Sequence, residues 1–177
     1  MKNIDKYLFQ ALDNYPYWLE GTSEALDYAL SYDEKNTTAL CLYARIEAEQ
    51  LQNYEAAKTY FQEALAINID AVAVYPYYIE TLLLNEDYEE ASKLIDFALT
   101  IKGIDKMAIL LKRVQLLERQ HKIKAAIKVL KEVRLASFAN DSFEIDEVTK
   151  RLKAKKDLLK PKKKSKKKKS DKIVKKK

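Results

Sequence analysis

Few side chains in this chain are equipped for covalent or acid–base chemistry, and the surroundings of each limit what it can do. His121 is the only histidine, and histidine is the side chain suited to proton transfer near neutral pH. It falls in the polar stretch Arg119-Gln120-His121-Lys122, which reads as a solvated turn. Cys41 is the only cysteine. It has no base beside it in sequence and sits on a predicted helix face, so it reads as a small packed hydrophobe. The acid pairs Glu47/Glu49, Glu86/Asp87 and Glu89/Glu90 would need a pocket that moves one pKa away from the other to act as acid and base. They read as solvated helix surface. No Cys/His cluster has metal-ligand spacing. A glycine-rich phosphate loop is excluded, because Gly21 and Gly103 are the only glycines. Catalysis is therefore not expected, and neither a cofactor nor a metal is implied.

The chemistry that remains is recognition. Twelve tyrosines are spread along the chain, and Tyr15-Pro16-Tyr17-Trp18 and Tyr75-Pro76-Tyr77-Tyr78 look alike at a spacing of 60. Most of these rings read as packing. Tyr43 and Tyr77 are the best placed for a contact surface, where aromatic anchors commonly dominate binding energy.

The second recognition element is the run Lys162-Lys163-Lys164-Ser165-Lys166-Lys167-Lys168-Lys169. One reading is a charge-driven anchor for nucleic acid or a ribosome, without sequence readout. Another is anionic lipid, where each lysine near the surface contributes about 1 kcal/mol. The third is a plain solvated tail, keeping the protein soluble or folding back on acidic surface. No aromatic residue interleaves the lysines, so stacking on single-stranded bases is not expected. Ile173-Val174 is too short for an amphipathic membrane helix.

The elements that position these residues follow from composition and charge. The chain has 177 residues, 47% of them hydrophobic, with two glycines and three prolines. So few turn residues argue for long helices joined by short polar connections. A single cysteine cannot form an internal disulfide. The start, Met1-Lys2-Asn3-Ile4-Asp5-Lys6-Tyr7, has no apolar leader-like run, and no stretch approaches 18 uninterrupted apolar residues. A soluble, cytoplasmic protein is expected.

The net charge of +6 hides a strong separation. Residues 160–177 hold 12 lysines and one acid, whereas residues 1–104 carry 7 bases against 18 acids. The chain thus has an acidic body and a basic end.

A repeat of 34 residues organises the middle. Tyr54, Ala57, Phe61 and Ala64-Leu65 return as Tyr88, Ala91, Ile95 and Ala98-Leu99. Such a period marks units that bury their apolar faces against one another. Residues 36–52 predict a helix, capped by Asn36 or Thr37, and 54–67 its antiparallel partner. The pattern repeats as 71–85 with 88–101, then as 105–120 with 122–136, where Ala126, Leu130 and Val133 hold the facing positions. Gly103 sits where the period stretches to 35 and predicts a helix end. Residues 4–13 and 17–32 form an irregular first pair, with Pro16 suited to a first helical turn and Gly21 weakening the second helix. Residues 142–159 predict a last amphipathic helix with Ile145, Val148, Leu152 and Leu159 on one side. It would seal the final apolar face. Residues beyond Pro161 are expected to be disordered.

Together these residues resemble the tetratricopeptide repeat. Ala57, Phe61 and Ala64 match the small–large–small signature of its second helix, as do Ala91, Ile95 and Ala98, while Tyr54 and Tyr88 fill its aromatic turn position. The first helices depart from it: Cys41, Tyr75 and Leu110 stand where the family has early bulk, and its unit-ending proline is replaced by Ile69, Gly103 and Phe138. The resemblance implies an all-α, right-handed α-solenoid of about four helix pairs plus a C-terminal capping helix. The divisions would be a divergent pair over 1–35, three repeats over 36–137, the cap over 138–159 and the lysine-rich tail over 160–177. It also implies a non-catalytic adaptor whose first helices line a concave groove for a peptide or helix of a partner protein. On the family's spacing the groove would include Tyr43, Ile46, Tyr77, Glu80, Lys112, Gln115 and Arg119. No asparagine stands among them to complete a carboxylate clamp.

Overall fold

A computed structural model of the chain describes residues 6–137 and 142–159, and every regular element among them is helical. Among the described residues the nine α-helices are α1 (Lys6–Asn14), α2 (Leu19–Tyr32), α3 (Thr37–Arg45), α4 (Tyr54–Ile67), α5 (Val74–Leu84), α6 (Tyr88–Ala98), α7 (Lys106–Arg119), α8 (Ile123–Ala136) and α9 (Ser142–Leu158). A π-helical segment, π1 (Ile46–Gln50), continues α3.

Local chemistry sets the starts. The Asn36 side chain accepts hydrogen bonds from the backbone N–H groups of Thr38 and Ala39 at 3.2 and 3.1 Å. Asp105 does the same for Ala108 at 3.0 Å, so each supplies an acceptor to the unpaired donors of a first helical turn.

The turns inside successive pairs share a backbone device. Gln52, Glu86 and His121 have φ of 55°, 62° and 59°, and they stand 34 and 35 residues apart. After Glu86 and His121 the next N–H reaches back across the turn, from Asp87 to Leu82 O at 2.9 Å and from Lys122 to Leu117 O at 2.8 Å. These are helix ends closed by one left-handed residue. At Gln52 the corresponding bond, from Asn53 N–H to Glu47 O at 2.8 Å, spans one residue more, because it leaves from the wider π turn.

Several sequence expectations need correction. Pro16 lies in a turn ahead of α2, with a cis Tyr15–Pro16 bond. Pro76 is the proline that occupies a first helical turn, as the third residue of α5. Gly21 does not interrupt α2. Gly103 does not end a helix. It turns the connection between α6 and α7 at φ 85°, where an added Cβ would meet no atom within 4 Å, so the backbone and not space requires glycine. The helix predicted over 71–85 begins at Val74, after Asn68 has closed a turn by accepting from Asp70 N–H at 3.0 Å. Leu159 lies past the end of α9 and is 68% exposed.

Packing follows the repeated positions. Ala57, Phe61, Ala64, Ala91, Ile95, Ala98, Ala126, Leu130 and Val133 are all buried. Alanine at these places lets two backbones approach, and the larger residue fills the space beyond. One apolar cluster runs from α3 to α7, a second joins α7, α8 and α9, and a third joins α1, α2 and α3. Each helix packs on the next, and α1, α3, α5 and α7 also touch one another in succession. Residues 138–141 and the tail expected over 160–177 lie outside the described residues.

Candidate binding cleft

The contacts among α1, α3, α5 and α7 leave two depressions between odd-numbered helices. The first, of about 410 Å³, is lined by Leu12, Thr38, Cys41, Arg45, Tyr77 and the turn ahead of α5. The second, of about 460 Å³, is lined by Glu80, Leu111, Lys112 and Gln115 together with Glu144, Glu147, Val148 and Arg151 of α9. Tyr77 lines the first and Glu80 the second, three residues apart on α5.

Arg45 is the centre of the first depression. Its guanidinium carbon lies 4.8 Å from the Tyr15 ring centroid and 4.2 Å from that of Tyr77, within reach of both ring quadrupoles. Its Nε donates to Glu49 Oε1 at 2.9 Å, and the Tyr15 hydroxyl donates to Glu49 Oε2 at 2.5 Å. Burial alone would raise the Glu49 pKa, but the bonds from Arg45 and Tyr15 outweigh it and hold the carboxyl below its ordinary value. For Tyr15, burial and then the bond to Glu49 push the phenol up. Arg45 and Glu49 form an i,i+4 pair, one signal in the sequence that could have located this cluster. The similar Tyr-Pro-Tyr motifs also acquire a role, since each supplies one ring to Arg45.

The expected groove residues divide. Glu80, Lys112 and Gln115 meet: Lys112 Nζ lies 2.5 Å from Glu80 Oε2, and Gln115 Nε2 donates to Glu80 Oε1 at 3.3 Å. This polar cluster ties α5 to α7 and spends the Lys112 charge inside the molecule. Tyr77 lines the first depression and is 38% exposed. Tyr43 lines neither depression. Its ring stacks on Tyr60 of α4 at 5.3 Å, and its hydroxyl donates to Asp27 of α2. Ile46 is 4% exposed and packs in the α1–α2–α3 cluster, because it lies on the face of the helix turned toward α2. Arg119 ends α7, where its charge suits the helix dipole, and it lines neither depression. The lysines from Lys162 to Lys169 lie outside the described residues.

Other reactive groups are ordinary. Burial pushes the Cys41 thiol up to about 11, which disfavours the thiolate needed for nucleophilic attack. His121 is an exposed turn residue. Among the described residues, no group of three or more His, Cys, Asp or Glu side chains is placed to hold a metal, and no helix is long and apolar enough to cross a membrane. Comparison with protein-family models and with curated proteins finds no match for this chain.

Proposed function

We infer that this chain is a non-catalytic interaction scaffold, a right-handed solenoid of tetratricopeptide-like helix pairs that binds a peptide or helix of a partner protein along its odd-numbered helices. The observation that carries this reading is the pair of depressions along the odd-numbered helices, one at Leu12, Arg45 and Tyr77 and one at Glu80, Val148 and Arg151. An extended or helical segment docking there would find aromatic and apolar surface at one end and paired charges at the other, a combination suited to an amphipathic partner. The lysine-rich segment 160–177 would add electrostatic attachment.

The test is affinity capture from native cell extract with the full chain and with full-length Tyr77→Ala and Leu111→Glu variants, eluted by rising salt with and without nuclease. Partners that resist salt and nuclease and are lost with either variant place the function in the cleft. Partners that ignore both variants and leave with nuclease or modest salt replace this reading with a nucleic-acid- or ribosome-associated protein held by its lysines.

A further inference from the structure

The basic character of this chain is not confined to its last residues. Residues 105–159 carry 14 bases against 8 acids before the lysine-rich segment begins. Several of these bases are committed to internal pairs: Lys112 with Glu80, Arg113 with Asp96, Arg134 with Asp146, and Arg151 and Lys155 with Glu118. Lys124, Lys128 and Lys131 are different. All three are exposed on α8, and none takes part in an ion pair among the described residues.

Their spacing of four and three residues puts them in one row, opposite the buried Ala126, Leu130 and Val133. At 1.5 Å rise per residue the row is about 10 Å long. Over that length one strand of a nucleic-acid duplex carries about three phosphates. The row also continues beyond α8. Lys122 and Lys124 line one depression with Lys156 and Leu159 of the α9 end, which is where the 12-lysine segment starts.

We propose that the exposed row Lys124, Lys128 and Lys131 on α8, continuous with Lys156, is a docking surface for the phosphate backbone of a nucleic-acid duplex. The fold supplies a rigid, helically spaced set of cations. The surface reads phosphate and not bases, since no large aromatic or amide side chain stands within the row. A rigid line of charge matches a linear polyanion better than a fluid lipid surface, and the exposed large apolar residues near it, Leu135 and Leu159, flank the row and do not divide it. The proposal is independent of the cleft, which lies on other helices.

The test uses the full chain and a labelled DNA duplex of about 20 base pairs, with binding followed by fluorescence anisotropy across a salt series. One variant is Lys124→Gln/Lys128→Gln/Lys131→Gln. Its control is Lys35→Gln/Lys93→Gln/Lys102→Gln, which removes the same charge from exposed positions elsewhere. Circular dichroism melts establish that both fold. The α8 variant is expected to bind about tenfold more weakly or worse, with the slope of log K against log salt reduced by about 2–3. The control should keep the slope of the unaltered chain. Equal loss in both variants would reduce the effect to net charge and overturn the proposal. So would no loss in either, which would leave binding to other lysines. Binding of the unaltered chain to phosphatidylserine-containing vesicles but not to the duplex would assign the row to a membrane instead.

Discussion

Trp18 lies against the glycine that sits inside a helix. A Cβ at Gly21 would fall 2.5 Å from Cε3 of the indole, so any larger residue must displace the ring. Helix propensity alone would favour Gly21→Ala by about 1 kcal/mol; close approach of the indole opposes it. Trp18 is 55% exposed, so the ring has solvent to swing into. Gly21→Ala should therefore shift the emission of this only tryptophan to the red, without raising the thermal midpoint. Unshifted emission would mean that the ring accommodates a Cβ in place. A second residue-scale expectation concerns the left-handed turns. Glu86 holds φ 62° with a Cβ that crowds the backbone there. Glu86→Gly should raise stability by up to about 1 kcal/mol in urea unfolding. A lower midpoint would place the Glu86 side chain among the stabilising contacts.

At the scale of elements, the attachment of α9 rests on Glu118. This carboxylate is 6% exposed and accepts two bonds from Arg151 at 2.9 Å each, with Lys155 at 2.7 Å. Burial alone would raise its pKa; the two cations outweigh burial and hold it down. A carboxyl with a depressed folded pKa stabilises above its unfolded value, about 4.3, and loses that contribution as the pH falls through the folded one. Docking of α9 should therefore weaken in acid below about pH 4. Glu118→Gln should remove this acid sensitivity and lower stability at neutral pH by about 1–2 kcal/mol, moderated by solvent around Arg151 and Lys155. Calorimetric melts at several pH values would decide, and an unchanged pH profile in Glu118→Gln would exclude this role.

The helices themselves were readable from small–large–small spacing, because burial follows the repeat. Ala57, Ala91 and Ala126 are all fully buried, and Ala57→Arg or Ala91→Arg should cost a few kcal/mol by forcing a bulky charge between helices. The cleft was only partly readable. Of the residues expected from spacing, Tyr77, Glu80, Lys112 and Gln115 line the two depressions. Tyr43, Ile46 and Arg119 line neither: Tyr43 of α3 and Ile46 of π1 turn toward α4 and α2, leaving Arg45 to line the cleft, and Arg119 ends α7. No spacing rule announces that two distant Tyr-Pro-Tyr motifs converge on one arginine.

At the scale of the whole molecule, three apolar clusters are joined through two helices. α3 gives Leu40 and Ala44 to the central cluster and Ala39 and Leu42 to the first. α7 gives Ile109 and Leu116 to the central cluster and Val114 to the last. Where each helix packs mainly on the next, stability is shared mainly with neighbours, so distant parts can open separately. Phe61 and Leu152 test that arrangement, since both are fully buried but lie in different clusters. Leu152→Ala should lose about 2–5 kcal/mol and Phe61→Ala about 3–5. Native-state hydrogen exchange reads where each loss is felt. With Leu152→Ala, exchange should quicken in α8 and α9 while α4 to α6 keep their protection. With Phe61→Ala, exchange should quicken from α3 through α7, because the central cluster holds both linking helices. If Leu152→Ala instead quickened exchange equally in every helix, the clusters would be one cooperative unit, and α9 would be part of a single core and not a detachable cap.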